Sequence, residues 1–253
     1  MDKMKQKIKD FILELFFPSF CLGCQKEGLL LCDDCKSILE ISEYNYCLCN
    51  KNPLRLPSEA KSKNPFGIAE GKCYRCQDKK LSGLFFALPY KEKFLTKKLI
   101  YQFKYPPYIK NLAKPLANIL AEHLIMAGKN TEQIWENGIL VPIPMEIRKM
   151  KNRGYNQTRE LAKELGHIIN VPVICDNLIK IKKTAPQMEL SAKEREGNLK
   201  DAFSVKNPAE FSGKKIFLVD DVYTTGSTME ECARVLRDAG AKHVWGIAIA
   251  REG

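Results

Sequence analysis

The sequence predicts an α/β domain, in which a parallel sheet is flanked by helices, preceded by a small cysteine-rich domain. Beyond residue 81, apolar runs of strand length alternate with segments of helical periodicity. Eight of the 10 cysteines precede this region, between Cys21 and Cys76. Of the 253 residues, 45% are hydrophobic, which is enough for a sizeable core. We therefore divide the chain into residues 1–20, 21–80 and 81–253.

Residues 1–20 predict an amphipathic helix that ends at Pro18. Its apolar positions, with lysines between them, are Met4, Ile8, Phe11, Ile12, Leu15 and Phe16. We expect this face to pack on the rest of the protein, with weak attachment to a membrane surface as the alternative. No apolar stretch reaches about 18 residues, so we expect neither a transmembrane helix nor a signal peptide. The expected location is the cytoplasm, or the inner face of the membrane if the helix binds lipid.

The cysteines of residues 21–80 form four close pairs. The pairs are Cys21 with Cys24, Cys32 with Cys35, Cys47 with Cys49, and Cys73 with Cys76. Paired thiolates at this spacing point at one centre, and two pairs complete the tetrahedral shell of a zinc ion. We therefore predict two structural zinc sites rather than disulfides. The spacing leaves open which pairs combine, and a DNA-binding ribbon remains an alternative to a purely structural role.

The region after residue 81 predicts helices at 109–127, 156–169 and 227–239 and strands at 139–143, 216–219 and 243–250. Gly240 ends the last helix. Continuous apolar strands that alternate with helices are typical of a parallel sheet covered on both faces.

The segment from Lys215 to Thr228 is the most informative for function. A buried strand ends in two adjacent carboxylates, Asp220 and Asp221, which we call the carboxylate pair. The Thr/Ser loop follows and begins a helix; its members are Thr224, Thr225, Gly226, Ser227 and Thr228. Hydroxyls and free N–H groups at a helix N-terminus suit a phosphate, and adjacent carboxylates suit sugar hydroxyls or magnesium. The pattern predicts a site for a ribose with a 5′-phosphate, the alternative being an ordinary strand end with an N-cap.

A second strand ends within residues 141–144, and Met145 and a basic segment follow it. Guanidinium groups fit a diphosphate, and Arg153 is the strongest candidate among these basic residues. Arg148, Lys149 and Lys151 are equally well explained as solvated side chains.

These motifs together resemble the competence protein F (ComF) family, whose fold is that of the type I phosphoribosyltransferases. The resemblance runs from about Phe17 to the C-terminus and includes the cysteine pairs and residues 99–105, 141–144, 153–157, 187–198 and 215–228. The departure is the single residue between Cys47 and Cys49. The resemblance implies a double zinc ribbon, then a five-stranded parallel core with phosphoribosyl pyrophosphate (PRPP) across the strand ends.

The resemblance also implies roles for individual residues. The carboxylate pair would hold the ribose hydroxyls and help to place magnesium, and the Thr/Ser loop would surround the 5′-phosphate. Met145 and Arg153 would belong to the pyrophosphate side. Lys104 would lie beside PRPP and, with Tyr105, would shape the acceptor side. A polar loop that closes over the substrate would supply the catalytic residues, Gln187, Arg195 and Asn198.

The formal net charge of +11 indicates an anionic partner without choosing one. The resemblance implies a PRPP-binding protein that handles incoming single-stranded DNA for natural transformation beside a competence helicase. Transfer of phosphoribosyl from PRPP, with release of pyrophosphate, is the implied reaction. The alternatives are a PRPP sensor without turnover and a metabolic phosphoribosyltransferase unrelated to DNA.

Overall fold

A computed structural model describes residues 18–56, 71–91, 93–128, 132–182 and 199–252. The predicted amphipathic helix lies almost wholly outside these residues, as do Gln187, Arg195 and Asn198. Within the described ranges, no helix is both long and apolar enough to cross a membrane.

Six strands and seven α-helices are present in the described ranges. The strands are β1 (Gly83–Pro89), β2 (Gly138–Pro142), β3 (Leu178–Lys180), β4 (Phe203–Val205), β5 (Lys215–Tyr223) and β6 (His243–Arg251). The helices are α1 (Asp33–Ser37), α2 (Phe94–Lys104), α3 (Ala113–Met126), α4 (Glu132–Trp135), α5 (Ile147–Arg153), α6 (Gln157–Ile169) and α7 (Ser227–Asp238). Short 3₁₀ turns cover Lys110–Leu112 and Pro208–Glu210. The predicted helices correspond to α3, α6 and α7, and the predicted strands to β2, β5 and β6.

Four strands form a parallel sheet in the order β1-β6-β5-β2. Val173 adds a single parallel bridge to Leu140 at the outer edge of β2. The expected five-stranded core is thus represented by four strands and this one bridge. The carboxyl ends of all four strands meet at one edge, so the residues that follow β2 and β5 leave the sheet side by side. The antiparallel pair of β3 and β4 is separate from this sheet.

The sheet is buried on both faces, as its apolar strands require. Every residue of β6 except His243 is buried. One face packs against α3 and α6, and Cys21, Cys32 and Cys35 join that core. The other face packs against α7, and Cys47 and Cys76 join that core. The two halves of the cysteine-rich segment therefore contact opposite faces of the same sheet.

The start of α6 is anchored to the end of β2. Asn156 is the N-cap of α6, and its side-chain oxygen accepts a hydrogen bond from the backbone N–H of Thr158 at 3.1 Å. The Thr158 hydroxyl donates to the carbonyl of Ile143, just beyond β2, at 2.7 Å. Ile143 in turn donates its backbone N–H to Val219 of β5 at 2.9 Å. These bonds bring the first turn of α6 to the edge of the sheet where β5 ends.

Candidate functional site

The carboxylate pair lies at the carboxyl end of β5. Asp221 is 3% exposed. Its Oδ1 forms an ion pair with the Lys104 Nζ at 2.7 Å, and its Oδ2 accepts a hydrogen bond from the Gln157 side-chain amide at 2.9 Å. Asp220 is half-buried, and its Oδ1 accepts the backbone N–H of Asp221 at 2.8 Å. The pair is thus held by α2, which supplies Lys104, and by the first residue of α6.

Burial and charge move the pKa values of the two carboxyls in opposite directions. Burial, together with the charge of Asp221, raises the pKa of Asp220 to about 8. Burial alone would also raise the pKa of Asp221, but Lys104 and the Gln157 amide outweigh it and hold this pKa below its usual range. For Lys104, the two carboxylates outweigh burial and raise its pKa. Asp221 is therefore the more acidic member of the pair, and Lys104 is its counter-ion.

Gln157 connects the carboxylate pair to the basic segment after β2. Its side-chain oxygen accepts a short hydrogen bond from the Arg153 guanidinium, while its side-chain nitrogen donates to Asp221. Arg153 also lies over the ring of Tyr108. The remaining basic side chains of α5 are exposed, so Arg153 alone among them joins this network. Met145 is half-buried in the turn between β2 and α5.

The Thr/Ser loop follows β5 directly and makes a tight turn into α7. Gly226 is the N-cap residue of α7 and has a φ of +79°. A Cβ at Gly226 would lie 2.4 Å from the Tyr223 hydroxyl, so both the backbone conformation and the space require glycine. The Thr225 and Ser227 hydroxyls are 2.9 Å apart, and the Thr225 hydroxyl also accepts the backbone N–H of Ser227 at 3.4 Å. The N-cap glycine itself offers no side-chain acceptor to the first turn of α7. Hydroxyls and helix N–H groups thus converge as an anion site needs.

The eight paired cysteines form two separate clusters, each from consecutive pairs. The first cluster is Cys21, Cys24, Cys32 and Cys35; the second cluster is Cys47, Cys49, Cys73 and Cys76. In each, the four sulfur atoms lie within 4.8 Å of one another. The one-residue spacing of Cys47 and Cys49 does not prevent the second cluster from closing.

The sulfur positions fit zinc. Tetrahedral coordination with Zn–S bonds of about 2.3 Å separates the sulfurs by about 3.8 Å, and the closest pairs here are 3.5 to 3.8 Å apart. Backbone N–H groups point at the sulfurs, from Cys32 to Cys21 Sγ at 3.4 Å and from Leu54 to Cys47 Sγ at 3.1 Å. A Cβ at Gly23 would lie 2.4 Å from Cys35 Sγ, so this turn also needs glycine. Each cluster can therefore hold one zinc ion.

The structure brings several of the predicted site residues together. Lys104, the carboxylate pair and, through Gln157, Arg153 form one network beside the Thr/Ser loop. Gln157 was not singled out as a site residue, and the signal that could have identified it is its place as the first residue after an N-cap asparagine. Tyr155 was also missed; its hydroxyl donates to the carbonyl of Phe103 at 2.7 Å and ties this segment to the end of α2.

Comparison with known proteins agrees with this description. The model of the phosphoribosyl transferase domain matches residues 150–251. Competence protein F of Haemophilus influenzae is 38% identical over 126 residues, which cover 49% of this chain and 55% of that protein. DNA utilization protein YhgH of Salmonella typhi is 34% identical over 146 residues, which cover 58% of this chain and 63% of that protein. Competence protein ComFC of Bacillus subtilis is 36% identical over 103 residues, 40% of this chain and 39% of that protein.

The chain thus spans less than two thirds of the length of these curated relatives. The matched domain contains α6, β5, the Thr/Ser loop and β6. The chain is therefore similar to competence protein F over about half of its length, its residues 150–251 match the phosphoribosyl transferase domain, and the two four-cysteine clusters that precede this domain fit a double zinc ribbon.

Proposed function

We propose that this protein binds PRPP with magnesium at the carboxyl edge of its sheet and handles single-stranded DNA during DNA uptake. The observation that carries the first part is the carboxylate pair, which lies at the carboxyl end of β5 and is separated from the Thr/Ser loop by two residues. In this arrangement the carboxylates accept the ribose hydroxyls or contact magnesium, and the loop surrounds the 5′-phosphate. Relatives named for competence and DNA utilization support the second part.

Transfer of the phosphoribosyl group is the proposed reaction. Pyrophosphate leaves C1 of the ribose, positive charge develops on the ring, and an acceptor attacks the same carbon. Catalysis of this kind depends on positioning and electrostatic stabilisation more than on a general base. Arg153, near the turn after β2, suits the pyrophosphate side, and Gln187, Arg195 and Asn198 remain proposed contributors from a closing loop. A sensor would bind PRPP equally well but release no pyrophosphate.

Isothermal titration with Mg²⁺ and PRPP tests the binding site. Asp220→Asn keeps the shape but replaces one carboxyl oxygen, which would accept a ribose hydroxyl or contact magnesium, with an amide nitrogen, and we expect at least about tenfold weaker PRPP binding. Asp238→Asn, an exposed carboxylate at the far end of α7, should bind as the wild type does. If the wild type shows no heat and no thermal stabilisation with PRPP, the proposal fails. Pyrophosphate release with a panel of nucleobases then separates the enzyme from the sensor.

One face of α2 suits single-stranded DNA. The α2 face consists of Phe94, Lys97, Lys98 and Tyr101, at the spacing that aligns residues along a helix, together with Tyr105, the residue that follows the helix. Phe94 is 77% exposed and Tyr101 is 54% exposed. The rings of Tyr101 and Tyr105 lie 4.9 Å apart. Aromatic platforms for bases, interleaved with lysines for phosphates, are typical of surfaces that bind single strands without sequence preference.

Fluorescence anisotropy with a labelled oligothymidine tests the α2 face. Phe94→Ala and Tyr101→Ala should each weaken binding at least about fivefold, because stacking of one base contributes about 1–3 kcal/mol. Tyr74→Ala is the matched control, since Tyr74 is equally exposed at 77% but belongs to the cysteine-rich segment. A larger loss from Tyr74→Ala would assign DNA binding to the zinc ribbon instead. Absence of binding even at low salt would exclude direct contact with DNA.

A further inference from the structure

The second cluster lies against the Thr/Ser loop, and the side chain next to it makes the most direct contact. Asn50 follows Cys49 by one residue, and its side-chain amide donates a hydrogen bond to the carbonyl of Thr225 at 2.8 Å. These residues are 175 positions apart in the chain. Asn50 is exposed, so this bond is not a by-product of core packing. It fixes the middle of the loop from the side of the cysteine-rich segment.

Two buried side chains connect the same segment to the strands beneath the loop. Tyr223, the last residue of β5, donates its hydroxyl to the carbonyl of Leu48 at 3.4 Å and accepts a hydrogen bond from Lys79 at 3.2 Å. Arg251, the last residue of β6, donates to the carbonyls of Cys47, at 2.8 Å, and of Cys49. Its guanidinium carbon lies 5.4 Å from the ring centroid of Phe86 and 5.5 Å from that of Tyr223, within the range of cation–π contacts. The backbone of residues 47–49 is thus bonded to the ends of both strands.

The charge of Arg251 suits a metal-bound second cluster. Arg251 is 2% exposed, and no described carboxylate pairs with it. Four thiolates with one Zn²⁺ carry a formal charge of −2, and a neighbouring guanidinium offsets part of it. The zinc would be held by Cys47, Cys49, Cys73 and Cys76 and would keep residues 47–50 in the conformation that meets Arg251 and the loop.

Among the described residues, no hydrogen bond or ion pair connects the first cluster to the Thr/Ser loop. It joins the core on the opposite face of the sheet, with α3 and α6, and its nearby ion pair joins Lys36 of α1 to Glu122 of α3. The chain therefore contains two chemically equivalent clusters, of which one adjoins the candidate phosphate site and the other does not. This difference makes the first cluster an internal control.

We propose that the second cluster is part of the phosphate site, and that Asn50 and Arg251 are positioning residues that hold the Thr/Ser loop in its anion-binding shape. Metal in the second cluster then raises PRPP affinity, whereas metal in the first cluster only stabilises the fold. The statement about PRPP rests on the proposed function. The statement about the loop does not, because hydrogen exchange of its amides reports its order without any ligand.

The Asn50 experiment isolates the hydrogen bond from the metal. In the full-length protein, Asn50→Ala and Asn50→Asp both remove the amide donor, and Gln77→Ala is the control, as an exposed polar side chain near the second cluster. We expect about two- to tenfold faster exchange of the amides at 225–231 and a similar loss of PRPP affinity, the range for one hydrogen bond. Zinc content and the melting temperature should not change. Unaltered exchange and affinity in both Asn50 variants would overturn the assignment of Asn50.

The cysteine experiment compares the clusters. Cys49→Ser and Cys24→Ser should each lose one zinc, but only Cys49→Ser should speed exchange at 225–231 and weaken PRPP binding. Equal effects of the two variants, or none, would refute the special role of the second cluster. If Cys49→Ser does not fold, Arg251→Lys and the Asn50 variants decide the question with both metals in place. If the wild type does not bind PRPP, the proposed function fails, and the exchange data still test the loop.

Discussion

The ion pair between Lys104 and Asp221 provides the most quantitative prediction. Lys104→Met keeps the length of the side chain but removes the cation from a carboxylate that is 3% exposed. With an effective dielectric constant of about 20, the Coulomb attraction between the two charges at 2.7 Å is about 6 kcal/mol. Most of this energy offsets the cost of desolvating the two groups. Removing one partner of a buried pair costs about 3–5 kcal/mol, because the other charge remains buried. Since Asp221 retains its bonds from Gln157 and Val222, we expect a loss of about 3 kcal/mol.

The pH dependence of this loss identifies its origin. Without Lys104, burial is opposed only by hydrogen bonds, so the pKa of Asp221 in the folded variant should rise above its unfolded value of about 3.9. The folded variant then binds more protons than the unfolded chain, and its stability falls as the pH increases through this interval. The loss relative to the wild type should therefore be largest at pH 7 and clearly smaller at pH 5.

Denaturation by urea, followed by tryptophan fluorescence, measures the loss. Trp135 and Trp245 both lie in the core of the sheet domain, so their signal reports the unfolding of this domain. Lys97→Met, an exposed position on the same helix, should change the free energy of unfolding by less than about 0.5 kcal/mol. A loss below about 1 kcal/mol at pH 7, or an equal loss at pH 5, would refute the reasoning.

Three further predictions concern the loop, a buried histidine and the metal. Gly226→Ala should reduce PRPP affinity at least tenfold. Gly213→Ala is the control, because Gly213 has a similar φ of +71° but open space around it, and this variant should lose only about 1–2 kcal/mol of stability from the strained backbone. Similar PRPP affinities for the two variants would contradict the steric argument. Burial lowers the pKa of His123 in the folded protein. Below about pH 6.5 the unfolded chain therefore binds a proton that the folded protein does not. The free energy of unfolding should fall by up to about 1.4 kcal/mol per pH unit as the pH decreases, until the folded-state pKa is reached. In equilibrium unfolding, His123→Gln should flatten this slope and the exposed His167→Gln should not; an unchanged slope in His123→Gln would exclude His123 as its source. After the zinc has been released by a reagent that modifies the thiolates, a colorimetric assay should find two zinc ions per chain. If all ten thiols of the purified protein titrate freely, neither cluster holds zinc.

The fold class and the carboxyl-edge motif could be predicted because their signals are local. The strand at 216–219 is continuously apolar, since both faces of β5 are covered, and the Thr/Ser loop follows it without interruption. The two cysteine clusters were predictable in number for the same reason, since each pair is a local turn. Their pairing was not, because it depends on which turns meet in space.

The interactions that complete the site could not be predicted because they are long-range. Lys104 reaches Asp221 only because α2 packs beside the carboxyl end of β5, and no spacing in the chain encodes that approach. Helix α2 itself was missed as an element: exposed Phe94 and Tyr101 accompany buried Leu99 and Phe103, which blurs the apolar periodicity. Asn50 resembles any polar loop residue until the structure places it against Thr225.

The central position of β6 determines when this sheet can form during synthesis. Among the described strands, β1 pairs only with β6, and β5 separates β6 from β2. A ribosome makes β1 more than 150 residues before it makes its partner, so nascent β1 and one edge of β5 must remain unpaired until residues 243–251 emerge. Partly made chains therefore expose apolar strand edges, which favours aggregation and creates a need for chaperones.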